Sequence, residues 1–254
     1  MKIFTIATIK GGTGKTTTAA ALLQAEQYDN RRPLAIDLDP QGNLSMMLGA
    51  DLNCPGAYEF LMGADPAEVI QHTEQGIDVI AASRDLAVLK STAGSAMRLR
   101  DALQADLFKL GTYSACFIDT PPTMGESLYN ALMASTDLII PLEPDTSSLQ
   151  GLYQVKDAYD HIKPINKNLD RVWVLLTRYD PRPKINRYMH DTIRSACVDM
   201  GIPAGCVKTI RPSIAVREAQ ALQKNLFEYA RKCSAAQDYY DLLTAMRNVY
   251  SDLL

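Results

Sequence analysis

The 254-residue sequence has little of what metal sites, disulfide frameworks and membrane anchors require. Its five cysteines form no C-x-x-C pair and its three histidines have no metal-ligand spacing, which argues against zinc, iron–sulfur and redox sites. The apolar run over residues 3–9 is too short to span a membrane and lacks a small-residue cleavage site. Repeats, Gly/Ser linkers and low-complexity tracts are also absent. We therefore expect a single reduced, cytoplasmic domain over residues 1–254.

Charge is divided unevenly along the chain. Residues 1–150 carry 10 Lys and Arg against 18 Asp and Glu, whereas residues 151–254 carry 16 against 11. The formal net charge of −3 hides this division. A weakly acidic total therefore does not exclude a nucleic-acid partner for the second half.

Apolar β-type runs alternate with helical patterns over most of the chain. This alternation predicts an α/β fold with a mostly parallel, twisted sheet and helices on both faces. The predicted strands are 2–9, 33–38, 77–81, 113–118, 138–142, 172–177 and 205–210. The predicted helices are 16–27, 128–134, 149–162, 186–200 and 235–254. The last pattern has an acidic polar face, which favours packing onto the domain over lying on a membrane.

Residues 10–17 read KGGTGKTT and lie between the first predicted strand and the first predicted helix. In this context glycines let backbone N–H groups turn toward a phosphate, and the helix N-terminus adds partial positive charge. We expect Lys15 to reach the β- and γ-phosphates, Thr16 to bind Mg²⁺ and Thr17 to lie near the α-phosphate. Lys10 is a second lysine within the loop. The predicted nucleotide-binding residues of the loop are Gly11, Gly12, Thr13, Gly14, Lys15, Thr16 and Thr17.

Carboxylates follow two other predicted strands. Asp37 and Asp39 end the strand in AIDLDPQGN, and Asp119 ends the strand in CFIDTPP. In an open parallel sheet the carboxyl ends of the strands face the ligand. An apolar strand ending in Asp is an arrangement that holds Mg²⁺ directly or through water. These parts suit phosphoryl transfer from ATP to water, where catalysis consists mostly of positioning and charge stabilisation.

The loop KGGTGKTT resembles the deviant Walker A motif of the ParA/MinD superfamily of P-loop ATPases, and DLDPQGN and DTPP are similar to its two switch segments. The resemblance implies catalytic roles for Lys10, Lys15, Asp39 and Asp119. Lys10 would be the signature lysine that reaches the partner's ATP in a nucleotide-sandwich dimer. Asp39 would orient the attacking water, and Thr16, Asp39 and Asp119 would hold Mg²⁺. Asp37 would be structural or near the metal.

The second half of the chain resembles the same family more loosely, in LLTRYDPRPKINR and EAQALQKNLFEYA. The family's adenine contacts would fall on Thr177, Arg178 and Pro212. Since the phosphate loop begins at residue 10, we expect the resemblance to be to small ParA-type partitioning ATPases without an N-terminal helix-turn-helix. These form ATP-bound homodimers that bind DNA non-specifically on the nucleoid. A ParB-like centromere-binding protein then stimulates their hydrolysis of ATP to ADP.

The residues themselves give independent support for a DNA surface. Residues 171–232 carry 12 Lys and Arg against 5 Asp and Glu, and several of the basic residues fall in predicted loops. We predict DNA contacts from Lys208, Arg211 and Arg217. A scattered, solvated set of charges is the alternative interpretation.

Two other functions remain open at this stage. A MinD-like positioning or recruitment ATPase would act at a membrane or a protein scaffold, but the acidic C-terminal pattern argues against stable membrane association. A bacterial tyrosine kinase module would explain the tyrosines at 229, 239, 240 and 250. Their helical spacing among apolar residues instead favours packing in the core.

Overall fold

The computed structural model describes residues 1–89, 92, 94–105 and 112–251, and within them eight strands form one sheet. The strands are β1 (Lys2–Ile6), β2 (Pro33–Asp37), β3 (Ile70–His72), β4 (Asp78–Ile80), β5 (Ala115–Asp119), β6 (Asp137–Leu142), β7 (Arg171–Leu176) and β8 (Val207–Thr209). The α-helices of the same residues are α1 (Lys15–Tyr28), α2 (Asn43–Leu48), α3 (Ala57–Leu61), α4 (Pro66–Val69), α5 (Arg98–Ala105), α6 (Glu126–Ala134), α7 (Thr146–Ile162), α8 (Lys184–Asp199), α9 (Ile214–Ala221), α10 (Leu226–Ala230) and α11 (Ser234–Ser251).

The sheet has the order β3-β4-β2-β5-β1-β6-β7-β8, and every pairing is parallel except that of β3 with β4. Parallel neighbours joined through helices explain why the apolar strands are separated by helical patterns. The short edge strand β3 was not predicted, because a three-residue segment containing Gln71 and His72 has no apolar run to detect.

The core lies on both faces of the sheet. Along β2, Leu34 and Ile36 pack in one buried cluster with Phe60, whereas Ala35 between them packs in the other with Phe117. Successive side chains of a strand point to opposite faces, so a strand covered on both sides must be apolar throughout. This arrangement confirms the predicted α/β fold class.

Several element ends differ from their predicted positions for local reasons. The predicted first strand, 2–9, ends at Ile6 because the following residues leave the sheet to form the loop before α1. Helix α7 begins at Thr146 rather than residue 149 because the carboxylate of Asp145 caps it, accepting a hydrogen bond from the Ser148 N–H at 2.9 Å.

The C-terminal helix α11 packs against α1, as its apolar pattern predicts. Tyr239, Leu242 and Met246 are buried in the main core cluster. Residues 252–254, the end of the predicted helix, lie outside the described residues. Within the described part of the chain, no helix is long and apolar enough to cross a membrane.

Candidate functional site

The carboxyl ends of three central strands meet at one edge of the sheet. Strand β5 lies between β2 and β1, so that Asp119 is in register with Asp37 on one side and with Ile6 on the other. A cavity of about 720 Å³ opens here. Of the residues proposed from sequence, it is lined by Gly11, Gly12, Gly14, Lys15, Thr16, Thr17, Asp39, Thr177, Arg178, Arg211, Pro212 and Arg217.

The loop between β1 and α1 depends on glycine at two positions. Gly12 has φ +77° and Gly14 has φ +93°, values in the left-handed region that side chains with a β-carbon disfavour. Gly14 is also the N-cap of α1, and no side chain caps that helix terminus. The first-turn N–H groups of α1 therefore border the cavity without a competing side-chain acceptor, which is the arrangement that binds phosphate.

Two residues directly after β7 donate hydrogen bonds to the backbone of the loop between β1 and α1. The Thr177 hydroxyl donates to the Thr13 carbonyl at 2.7 Å, and the Arg178 guanidinium donates to the carbonyl of Gly12. Arg178 also pairs with Glu143 at 2.8 Å and has φ +53°. The sequence predicted adenine contacts for Thr177 and Arg178, and this support of the loop was not foreseen. The Thr13 side chain is fully buried, so that residue faces the cavity with neither its hydroxyl nor its methyl group.

Asp119 and Thr16 form the polar floor beneath the loop. The Thr16 hydroxyl donates to Oδ2 of Asp119 at 2.7 Å, whereas the buried Oδ1 has no hydrogen-bond partner among the described residues. Burial and the neighbouring charge of Asp37 raise the pKa of Asp119 well above its ordinary value. A buried carboxylate oxygen without a donor is a place where a cation would be stabilised.

Lys15 brings the opposite charge into the same region. Lys15 is only 7% exposed. Burial lowers the pKa of its ammonium group, whereas the negative charges of Asp119 and Asp39 oppose that shift. A desolvated lysine beside a phosphate site gains more from an anionic ligand than an exposed one would, because water screens it less.

The two carboxylates at the end of β2 have different environments. Asp37 is fully buried and accepts hydrogen bonds from the N–H and hydroxyl of Ser45 at 2.9 and 2.8 Å, which anchors the start of α2. Burial raises the pKa of Asp37 to about 6 in spite of these donors. Asp39 instead lines the cavity and accepts from the Gln41 N–H at 3.0 Å. Of the two, Asp39 is the one placed to meet a ligand.

Lys10 points away from the cavity of its own chain. Its ammonium group contacts Oδ2 of Asp145 at 2.5 Å and the Ser147 hydroxyl at 2.9 Å, at the start of α7. Burial alone would raise the pKa of Asp145, but the hydrogen bonds from Lys10, Ser147 and Ser148 lower it to about 2. Sequence reasoning missed Asp145, although Asp is one of the preferred N-cap residues of helices.

The three candidate DNA residues lie near one another in sequence but differ in environment. Lys208 is half-buried on the edge strand β8. Arg211 is paired with Asp238 of α11 at 2.7 Å. Arg217 of α9 is exposed and also lines the cavity. Arg211 and Arg217 are thus both exposed, and Arg211 already has an anionic partner.

The oxygen atoms in and directly behind the lining of the cavity fit Mg²⁺. Thr16, Asp39 and Asp119 supply hydroxyl and carboxylate oxygens, which are the ligands that Mg²⁺ prefers. Among the described residues, no group of three or more His, Cys, Asp and Glu side chains is arranged to hold a metal ion. A magnesium ion here would therefore complete its shell with water and phosphate oxygens of a bound nucleotide.

The sheet order, the glycine loop before α1 and the strand-end carboxylates define a P-loop nucleotide-binding protein. The model of the family described as "AAA domain" matches residues 1–171. The chain is 34% identical over 251 residues to the chromosome partitioning protein ParA of Caulobacter vibrioides, covering 95% of this chain and 92% of that protein. It is 33% identical over 253 residues to the sporulation initiation inhibitor protein Soj of Bacillus subtilis, covering 95% and 96%.

A solved structure shares the fold of this chain. A cobyrinic acid a,c-diamide synthase from Mycobacterium smegmatis, crystallised with an ATP analog and magnesium, superposes with a TM-score of 0.79 at 27% identity, over 99% of this chain and 96% of that one. The chain therefore belongs to the ParA/MinD-type P-loop ATPases of the AAA domain family.

Proposed function

We propose that this chain is a ParA-type DNA-partitioning ATPase that binds ATP with Mg²⁺ and hydrolyses it to ADP and phosphate. The observation that carries the proposal is that Lys15, Thr16 and Asp39 line one cavity and that Asp119 lies directly behind Thr16, whose hydroxyl donates to it. Its volume of about 720 Å³ suits a ligand of nucleotide size. Partitioning relatives of nearly the same length support the biological role.

Each side chain has a task in that reaction. The Lys15 cation would stabilise negative charge on the β- and γ-phosphates, with the first-turn N–H groups of α1. Thr16, Asp39 and Asp119 would hold Mg²⁺, which neutralises phosphate charge when it is bound. Asp39, the carboxylate that faces the cavity, would also accept a hydrogen bond from the attacking water and so orient it.

The position of Lys10 supports an ATP-dependent dimer. In the single chain this lysine lies outside its own cavity, paired with Asp145 on the surface. We infer that two copies bind face to face across ATP, and that the ammonium group of Lys10 from one copy contacts the phosphates of the ATP bound to the other. ATP would thus be required for the dimer, and hydrolysis would release it.

The proposed DNA-binding surface is the basic region in the second half of the chain. The basic region over residues 171–232 would contact backbone phosphates without reading sequence, so the ATP-bound dimer would be cytoplasmic and nucleoid-associated. A ParB-like centromere-binding protein would stimulate hydrolysis. Exposed Arg217 and half-buried Lys208 are the candidate contacts, and Arg211 would have to exchange Asp238 for a phosphate.

Packing of α11 weakens the two alternative functions. The apolar residues Tyr239, Leu242, Leu243 and Met246 of this helix, which a membrane-bound helix would expose to lipid, are already buried against the domain. Tyr239 is buried beside Thr18 and Tyr240 donates to Asp29 at 2.9 Å, so neither is presented as a tail substrate of a kinase.

The deciding experiment measures ATP hydrolysis and binding to random-sequence duplex DNA with ATP, ADP or no nucleotide. We expect ATP-dependent, salt-sensitive DNA binding, and loss of ATP binding in Lys15→Ala. Sedimentation with anionic liposomes serves as the counter-test. Pelleting with liposomes in ATP, without DNA binding, would reject the partitioning function in favour of the MinD-like one.

A further inference from the structure

One side chain from α9 reaches the phosphate loop across the cavity. The Gln220 carboxamide donates from Nε2 to the hydroxyl oxygen of Thr17 at 2.9 Å. Both residues are half-buried and both line the cavity. The contact joins the first turn of α1 to a helix 203 residues further along the chain.

The direction of this hydrogen bond determines what Thr17 can do. An amide N–H only donates, so the Thr17 oxygen accepts, and the single hydroxyl proton of Thr17 remains available for another acceptor. In the cavity the acceptor of matching chemistry is a phosphate oxygen of the nucleotide. A hydrogen bond to a charged acceptor is stronger than a neutral one, so the orientation of this one proton affects affinity.

We propose that Gln220 is a positioning residue for the nucleotide, directing the Thr17 hydroxyl proton toward phosphate. The inference rests on the proposed nucleotide binding at this cavity. By linkage, a nucleotide held through Thr17 also stabilises the position of α9. That helix carries the exposed Arg217 one turn before Gln220, so nucleotide and the basic surface share one element.

A second contact ties the same region to the segment that follows Asp39. Gln223, with φ +49°, lies just after α9 and donates to the Met46 carbonyl of α2 at 3.0 Å. Helix α9 is thus held on one side by the phosphate loop and at its end by α2. This geometry makes its position sensitive to what occupies the cavity.

The test is a double-mutant cycle in which titration calorimetry measures the binding of ADP with Mg²⁺. We expect Gln220→Leu to raise the Kd for ADP roughly fivefold to tenfold, the size of one typical net hydrogen bond. Thr17→Val, which removes the hydroxyl, should weaken binding by a similar factor. Gln220→Leu should then add nothing in the Thr17→Val background, because both changes remove the same interaction.

Two further variants separate positioning from mere support of α9. Gln220→Glu keeps the shape, but its carboxylate accepts instead of donating and adds negative charge near the phosphates, so it should weaken ADP binding more than Gln220→Leu. In the Thr17→Val background the part of that loss due to the Thr17 proton should disappear, leaving only the effect of the added charge. Gln237→Leu alters an exposed glutamine of α11 outside the cavity lining and should bind ADP as the wild type does. Thermal unfolding of each variant without nucleotide checks that it is folded.

The outcomes distinguish this inference from the proposed function. If Gln220→Leu binds ADP like the wild type, or if its effect multiplies with that of Thr17→Val, Gln220 does not position Thr17. Equal losses in Gln220→Leu and Gln220→Glu would likewise overturn the inference. A wild-type chain that does not bind ADP at all would reject the proposed function together with it.

Discussion

At the scale of single residues, the candidate site places carboxylates of different exposure side by side. Asp119 is 1% exposed with one oxygen lacking a donor among the described residues, whereas Asp39 is 8% exposed and faces the cavity. The first position suits a cation and the second suits a ligand or water. These differences separate the expected effects of their substitution.

The Asp119→Asn variant should lose the dependence of ATP binding on Mg²⁺. Asparagine keeps the shape but offers neutral oxygen and nitrogen atoms, which are poor replacements for the carboxylate oxygen. We expect removal of Mg²⁺ with EDTA to weaken ATP binding by the wild type about tenfold or more, the effect of losing one or more charge-assisted contacts. Fluorescence titration with and without Mg²⁺ is the measurement. A variant as Mg²⁺-dependent as the wild type would contradict the assignment of Asp119.

The Asp39→Ala variant should bind ATP but hydrolyse it slowly. Removal of a group that orients or deprotonates water lowers kcat by roughly 10²- to 10⁴-fold. Binding should be largely preserved, because Lys15 and the loop N–H groups remain. Single-turnover hydrolysis compared with ATP affinity checks this separation. Equal losses in affinity and rate would assign Asp39 to binding rather than to the chemical step.

At the scale of elements, α1 connects the site to the rest of the domain. Its N-terminus borders the cavity and packs there against α11, where buried Tyr239 also lines the cavity and has its hydroxyl 3.3 Å from that of Thr18. Burial raises the pKa of Tyr239 to about 12. The packing of α11 therefore depends on this phenol remaining neutral.

Stability should fall at alkaline pH because of this packing. The folded pKa near 12 lies above the unfolded value of about 10, so the unfolded chain releases the Tyr239 proton first and the free energy of unfolding decreases from pH 10 upward. We expect Tyr239→Phe to remove a loss on the order of 2 kcal/mol between pH 10 and 12. Urea unfolding at several pH values measures it. The pKa of Tyr159 is also raised to about 12, so Tyr159→Phe is the matched comparison. It should remove a separate part of the alkaline loss of stability, additive to that of Tyr239→Phe.

At the scale of the whole molecule, the proposed assembly depends on a lysine that the single chain keeps on its surface. Lys10→Ala should preserve ADP binding and the monomer fold, since the side chain lies outside the cavity and its pairing with Asp145 is more than a third exposed on both sides. It should abolish the ATP-dependent dimer. Sedimentation velocity with ATP and with ADP measures this, and an ATP dimer of Lys10→Ala equal to that of the wild type would reject the sandwich arrangement.

The DNA surface also belongs to this scale. Arg217→Ala should weaken binding to all duplex sequences alike and reduce the slope of log affinity against log salt by about one phosphate contact. Asp238 already pairs with Arg211, so Arg211→Ala should also lower the melting temperature, which makes it the comparison that separates DNA contact from stability. An unchanged salt slope in Arg217→Ala would exclude this residue from the interface.

Much of the site could be predicted because its signals are local. KGGTGKTT between a strand and a helix requires no distant contact to be recognised, and Asp39 and Asp119 mark strand ends by their position after apolar runs. The edge strand β3, the first turn of α7 and the helices α2, α3, α4, α5, α9 and α10 were not predicted. Strand β3 lacks an apolar run, and α7 begins after its Asp145 cap with Thr146, Ser147 and Ser148, which resemble a loop.

The sequence by itself determined the α/β class, the phosphate loop and the strand-end carboxylates, since each depends on neighbouring residues and on the periodicity of strands and helices. Only the tertiary structure decided that Asp37 anchors Ser45, that Lys10 pairs with Asp145, and that Gln220 reaches Thr17. The physical reason is that burial, and hydrogen bonds between residues far apart in the chain, exist only once the sheet and its helices have packed. The opposed charges of the two halves of the sequence are likewise brought together by folding, where Arg217 of the basic half lines the same cavity as Asp39 of the acidic half.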